Sequence, residues 1–182
     1  MLSNEIGVVM SHRKAWQNIV VDNDINSNQH YLILESDSKI INLEILNQQL
    51  DKIKLNYDLF FWGAWTGHAS IKKSKKIQLN NKYSIGEPLL NSIYGAYGYS
   101  LTPKTAKYLL SKTNRIKCQI DIFKEYIDPN RVRIGTIVPE VITFWGDTES
   151  TIRDPENFYQ IYKRKLIIKF FYCRNTIVSY FC

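Results

Sequence analysis

The sequence is poor in cysteine, and its three cysteines are not spaced to bind a metal. Cys118, Cys173 and Cys182 are odd in number, and no two of them form a Cys-x-x-Cys pair. This pattern argues against a disulfide-stabilised scaffold and against a zinc site, so we expect free thiols.

Long hydrophobic runs are also missing. No stretch of 18 apolar residues occurs, so the sequence predicts no membrane-spanning helix. Residues 1–5 offer neither the basic nor the apolar region of a signal peptide. We therefore expect a cytoplasmic protein.

Positive charge, in contrast, is in excess. The chain has 24 Lys and Arg residues against 17 Asp and Glu, a net charge of +7, which indicates an anionic partner. No helix-turn-helix, zinc-finger or RNP-like pattern is present, so we do not expect nucleic acid to be that partner. One basic cluster lies at residues 72–76, and a second is interleaved with aromatic residues after residue 162. The second cluster is typical either of a helix on an anionic membrane surface or of a terminal helix packed on the core.

Hydrophobic patterns alternate between strand and helix, which predicts a single α/β domain. Helices are expected over residues 43–54 and from Pro103, where Thr102 is a good N-cap. Strands are expected over residues 58–62 and on both sides of Pro139. Residues 66–88 are either a mobile loop or a weakly patterned β-hairpin.

A short apolar strand, residues 31–34, runs directly into Glu35, Ser36 and Asp37. The alternation of side chains along a strand places both carboxylates on one face. Open α/β sheets bind ligands at the carboxyl ends of parallel strands, and Mg²⁺ or Mn²⁺ prefers carboxylate and phosphate oxygens. The motif therefore predicts a metal–diphosphate site, although a polar turn explains the same residues without chemistry.

An amphipathic helix precedes this strand. Val8 or Val9, His12, Trp16 and Ile19 or Val20 recur at helical spacing. Taken together, this helix and the acidic strand resemble two blocks of glycosyltransferase family 25, the bacterial lipooligosaccharide galactosyltransferases. The positions that match are Leu2, Glu5, Ile6, Gly7, Ser11, His12, Trp16, Leu34, Glu35 and Asp37.

Later segments extend the resemblance. Trp62-Gly63 stands where the family has a Leu-Gly pair, and Asp121 stands where it has an Ile/Val-Asp pair. A Gly-x-x-x-Tyr strand followed by an Ala-x-x-Leu-Leu helix is matched at Gly95, Tyr99, Ala106, Leu109 and Leu110.

The resemblance implies a fold and an activity. The expected fold is a GT-A-like, Rossmann-type α/β/α sandwich with a mixed, mostly parallel sheet over residues 1–153, followed by a basic aromatic tail at 154–182. The expected reaction transfers a hexose, galactose in particular, from a UDP-sugar to lipooligosaccharide with Mn²⁺ or Mg²⁺. Glu35 and Asp37 are the expected metal ligands and Asp121 the expected catalytic carboxylate, although a helix N-cap role explains Asp121 without chemistry. The expected donor- and acceptor-binding residues are Glu5, Ser11, His12, Gly63, Tyr97 and Tyr99.

Three features depart from the family pattern. The family begins with a further strand, so the resemblance implies an N-terminally shortened fold. Ser36 replaces an acidic residue, and no histidine follows His68. Two alternatives therefore stand beside an active transferase: a shortened, inactive family member, or a non-catalytic basic domain that binds membrane or nucleic acid.

Overall fold

The predicted α/β class is confirmed, although four strands follow one another between α2 and α3. The computed structural model describes residues 3–64 and 67–144. The helices are α1 (Ser3–Asp22), α2 (Leu43–Ile53) and α3 (Pro103–Lys112), with short 3₁₀ turns at Leu90–Ser92 and Phe123–Glu125. The strands are β1 (Tyr31–Leu34), β2 (Ser38–Ile40), β3 (Leu59–Phe61), β4 (Ile71–Gln78), β5 (Ser84–Pro88), β6 (Gly98–Leu101), β7 (Ile134–Val138) and β8 (Ile142–Phe144).

Six strands form one mixed sheet in the order β1-β6-β3-β7-β5-β4, and β2 pairs with β8 in a second sheet. Within the six-stranded sheet only β3 and β7 pair in parallel among the described strands. The prediction of a mixed sheet is confirmed, but the prediction of a mostly parallel one is wrong. The reason is that β6 lies between β1 and β3 and runs antiparallel to both.

The position of β6 nevertheless leaves β1, β3 and β7 running in the same direction. Their carboxyl ends therefore meet at one edge of the sheet, together with the start of β6. This edge is where open α/β sheets bind their ligands.

The sheet lies between two layers, and β3 shows how the sequence builds both. Leu59 and Phe61 pack in one buried cluster with residues of α1 and α3, whereas Phe60 and Trp62 pack in another with residues of α2. Successive side chains of a strand point to opposite faces, so a continuous apolar run is buried on both sides. An α/β/α arrangement follows.

The helix boundaries agree with the predictions. The Thr102 side chain accepts a hydrogen bond from the Thr105 N–H at 3.3 Å, with Pro103 in the first helical turn. The predicted stripe of α1 is buried at Val9, His12, Trp16 and Ile19. The Thr102 cap satisfies a backbone N–H that the first helical turn would leave unpaired.

Of the two alternatives for residues 66–88, the hairpin is confirmed as the antiparallel pair β4–β5. The tail at 154–182 and the domain boundary at 153 lie outside the described residues. Among the described helices, none combines the length and hydropathy needed to span a bilayer.

Candidate active site

The acidic motif forms a turn between β1 and β2. Because β1 ends at Leu34, the expectation that Glu35 and Asp37 share one face of a strand is wrong. The Glu35 carbonyl accepts a hydrogen bond from the Ser38 N–H at 3.0 Å. The Tyr97 carbonyl accepts hydrogen bonds from the Glu35 N–H, at 3.3 Å, and from the Ser38 hydroxyl. The turn is thus fixed to the start of β6, with both carboxylate residues partly exposed.

A chain of hydrogen bonds runs from the core to this turn. The Trp16 indole N–H donates to the Tyr99 hydroxyl at 3.0 Å. The same hydroxyl lies 2.8 Å from His12 Nδ1, and His12 Nε2 lies 3.2 Å from Glu35 Oε1. We call these four side chains the Glu35 relay. The relay joins two predicted binding residues, His12 and Tyr99, to the predicted metal ligand Glu35.

The position of each proton in the relay follows from which groups can donate and which can accept a hydrogen bond. An indole N–H can only donate, so the Tyr99 oxygen accepts from Trp16 and its own proton is available to His12 Nδ1. The other imidazole nitrogen, Nε2, then carries the hydrogen that it donates to Glu35. With His12 in this tautomer, each of the three hydrogen bonds of the relay has one donor and one acceptor.

Tyr99 remains protonated in this arrangement. Complete burial, the largest effect, raises the pKa of its hydroxyl well above the usual value of 10.0, and the nearby Glu35 charge adds to the rise. Its ring is fully buried. Tyr99 therefore positions His12 and does not itself reach the exposed edge.

A second chain of the same kind starts from the next residue of β6. The Trp62 indole donates to the Ser100 hydroxyl at 3.0 Å, and Ser100 lies 3.1 Å from His30 Nδ1. His30 Nε2 ends this chain 3.0 Å from the Tyr57 carbonyl. This His30 relay terminates on buried backbone, whereas the Glu35 relay terminates on a partly exposed carboxylate. The difference favours a structural role for His30 and a functional one for His12.

The carboxyl ends of β3 and β7 bring further residues to the same edge. A Cβ atom on Gly63 would lie 1.9 Å from the Ile142 carbonyl oxygen and 2.4 Å from the Tyr97 ring. The Tyr97 hydroxyl donates to Glu140 Oε2 at 2.7 Å. Gly63 thus allows the close packing that holds the Tyr97 ring in place.

Sequence reasoning missed Glu140. The available signal was its position just after the strand ending at Val138, which runs parallel to β3. Without the strand order, nothing in the sequence showed that this carboxylate and the Glu35 turn belong to the same edge.

The remaining predicted residues are Glu5 and Ser11 on α1 and Asp121 just before the second 3₁₀ turn. The Glu5 carboxylate accepts a hydrogen bond from the Gln119 side chain. Ser11 is exposed and donates to the Gly7 carbonyl of its own helix at 3.0 Å. Asp121 is partly exposed, and its carbonyl accepts from the Gly95 N–H at 3.1 Å. The alternative helix-cap role for Asp121 is not realised, because Ile122 occupies the cap position of the next 3₁₀ turn.

The acidic turn has the donor chemistry for a hard divalent cation. Mg²⁺ is commonly held by one or two carboxylates, with water and substrate phosphates as the other ligands. Glu35 is oriented by His12, as ligating carboxylates usually are by a neighbouring group, and Asp37 has no hydrogen-bonding partner among the described residues. The described residues contain no cluster of three His, Cys, Asp or Glu side chains suited to a metal. Glu35 and Asp37 are therefore the carboxylates that this turn could offer to such an ion.

A separate cavity of about 300 Å³ lies at the other ends of these strands, where β3 begins and β6 ends. Its lining includes Asp58, Thr102, Lys104 and Arg133. Arg133 is already occupied there, since it donates to both carboxylate oxygens of Asp58, at 2.7 and 3.1 Å. This cavity is not part of the acidic turn.

Comparison with known proteins gives one family. The family described as "Glycosyltransferase family 25 (LPS biosynthesis protein)" matches residues 1–124. The match includes α1, the acidic turn, β6 and Asp121, and it ends before β7. A comparison with curated proteins found no match.

Proposed function

Since the chain belongs to glycosyltransferase family 25, we propose that it transfers galactose from a UDP-sugar to a lipooligosaccharide acceptor, with help from Mn²⁺ or Mg²⁺. Family membership supports glycosyl transfer in LPS biosynthesis. The Glu35 relay is the observation that supports a reaction centre in this chain: a buried hydrogen-bonded chain ends on a carboxylate at the edge where β1, β3 and β7 end.

Glu35 and Asp37 would hold the metal ion. When bound, such an ion neutralises the diphosphate leaving group and helps to orient it. His12 keeps the Glu35 carboxylate in one orientation, and Tyr99 and Trp16 keep His12 in one tautomer. Preorganisation of this kind reduces the cost of binding donor and metal together.

Asp121 is the proposed general base. The acceptor hydroxyl oxygen forms a bond to the anomeric carbon of the donor sugar, and the bond from that carbon to the UDP oxygen breaks. The hydroxyl proton passes to the Asp121 carboxylate as UDP leaves. The hydrogen bond between the Gly95 N–H and the Asp121 carbonyl supports this role, since it holds the loop of Asp121 against the segment that leads to Tyr97.

We place the reaction on the cytoplasmic side of the inner membrane. A lipooligosaccharide acceptor is anchored in a lipid surface, and the net charge of +7 favours an anionic one. The proposed donor- and acceptor-binding residues are Glu5, Ser11, His12, Gly63, Tyr97 and Tyr99, and the buried Tyr99 acts through His12.

The test is UDP release by the full chain from UDP-galactose and lipooligosaccharide, with and without Mn²⁺. Asp37→Asn should lower the rate at least about 100-fold and weaken binding of UDP with Mn²⁺, because one metal ligand is lost. Asp51→Asn is the matched control, since Asp51 is an exposed helical residue paired with Lys54. A parallel assay compares Asp121→Asn with Glu140→Gln, and we expect the larger loss from Asp121.

Two results would contradict the proposal. One is an equal effect of Asp37→Asn and Asp51→Asn on UDP binding. The other is salt-sensitive binding to RNA or DNA that nucleotide and Mn²⁺ leave unchanged, which would favour a basic binding domain.

A further inference from the structure

The edge strand β4 carries much of the excess charge of the protein. Four of its eight residues are lysines: Lys72, Lys73, Lys75 and Lys76. The whole hairpin, residues 71–88, has five lysines and a single acidic residue, Glu87, a net charge of +4. The charge is thus concentrated on the outer strand of the sheet that lies farthest from β1.

Three of these lysines, Lys72, Lys73 and Lys75, lie on a bulge. Ile71 pairs with Pro88 and Lys76 pairs with Gly86, so four residues of β4 face one residue of β5. A Cβ atom on Gly86 would lie 2.3 Å from the Lys75 carbonyl oxygen and 2.6 Å from Ile71 Cγ2. The bulged backbone therefore rests directly on Gly86, which fixes its position relative to β5.

An apolar side chain stands beside the lysines. Residues 73–78 are all exposed, and the Ile77 side chain is 54% exposed although its cross-strand neighbour Ile85 is buried. Lysines and bulges protect sheet edges against unwanted pairing. That protection accounts for the lysines, but it does not account for an exposed isoleucine among them.

We propose that the β4–β5 hairpin docks the protein onto an anionic phospholipid surface. Lysines close to such a surface each strengthen binding through the negative lipid headgroups, and an apolar side chain next to them can enter the boundary with the acyl chains. Ile77 favours lipid over nucleic acid, because an isolated aliphatic side chain gains nothing from a phosphate backbone. The proposal concerns membrane contact and does not depend on the transferase reaction.

The experiment is cosedimentation of the full chain with phosphatidylcholine vesicles that contain or lack phosphatidylglycerol, without donor or acceptor. Lys75→Gln/Lys76→Gln should weaken binding to the anionic vesicles about 25-fold, roughly fivefold for each lysine. The matched control is Lys14→Gln/Lys107→Gln, which removes the same charge from exposed positions on α1 and α3 and should weaken binding less than threefold. Ile77→Ser should weaken vesicle binding about fivefold and leave elution from a heparin column unchanged.

The proposal is overturned if both lysine pairs weaken binding equally, because net charge alone would then explain the attraction. It is also overturned if Ile77→Ser has no effect on vesicle binding, or if the chain binds RNA but not anionic vesicles. All variants alter exposed side chains, and unchanged thermal unfolding confirms that the fold is retained.

Discussion

His12 and Glu35 are 23 positions apart in the sequence, and their side chains meet with Nε2 of the imidazole 3.2 Å from Oε1 of the carboxylate. The imidazole is buried, whereas the carboxylate is partly exposed. Through this contact, a buried hydrogen-bond network orients a carboxylate that a ligand can reach. If that network serves catalysis, breaking it at His12 or Tyr99 should impair turnover more than folding.

Replacing His12 by glutamine should impair the reaction more than the fold. We expect kcat to fall about 10–100-fold, the usual cost of losing a residue that orients a metal ligand. The Mn²⁺ concentration needed for half-maximal rate should rise in parallel. His30→Gln is the control, since His30 ends on the Tyr57 carbonyl, and its kcat per folded molecule should stay within twofold of wild type. Equal loss of kcat in the two variants would contradict the assignment.

The paired substitutions Tyr99→Phe and Ser100→Ala separate positioning from stability. Each removes one hydroxyl that bridges an indole and an imidazole, so each should lower the free energy of unfolding by about 1–3 kcal/mol in urea titrations. We expect only Tyr99→Phe to reduce kcat, with KM for the acceptor unchanged. A comparable fall of kcat in Ser100→Ala would show that the effect is merely structural.

Two glycine-to-alanine substitutions should change the stability of the protein in opposite directions. Gly63→Ala places a methyl group 1.9 Å from the Ile142 carbonyl oxygen, and we expect it to destabilise the protein by at least about 1–3 kcal/mol. Gly7 lies within α1 with nothing within 4 Å of an added Cβ, so Gly7→Ala should stabilise by about 0.5–1 kcal/mol. Thermal unfolding of the two variants measures both effects, and a neutral Gly63→Ala would refute the close packing around Tyr97.

His30 should make stability depend on pH. Burial, the largest effect, lowers its pKa below the usual value of 6.5, despite the opposing hydrogen bond to the Tyr57 carbonyl. The unfolded chain therefore binds more protons than the folded one as pH falls below about 6.5. Above that pH, His30 makes its full contribution to the free energy of unfolding. On acidification this contribution falls by up to about 1.4 kcal/mol per pH unit, until the pH reaches the folded-state pKa of His30.

Urea unfolding of wild type and His30→Gln at pH 7.5, 6.5 and 5.5 provides the measurement. The variant should be less stable than wild type at pH 7.5, and the gap should narrow toward pH 5.5. A constant gap over this range would show that His30 does not titrate differently in the two states.

Sequence alone determined the local parts of this protein and its family. The buried stripe of α1, the Thr102–Pro103 helix start and the apolar run of β3 follow from short-range periodicity and capping, which the neighbouring residues decide. Tertiary structure decided how these parts meet. The insertion of β6 between β1 and β3 set the strand directions, and no local pattern encodes a strand's partner.

The same long-range pairing brought Tyr99 to His12, 87 residues apart, and Glu140 to Tyr97, 43 apart. Such contacts depend on which strands become neighbours after the chain folds. The sequence therefore named most candidate groups at the site. Only the folded chain showed that His12 is hydrogen-bonded to a partly exposed carboxylate and His30 to a buried backbone carbonyl.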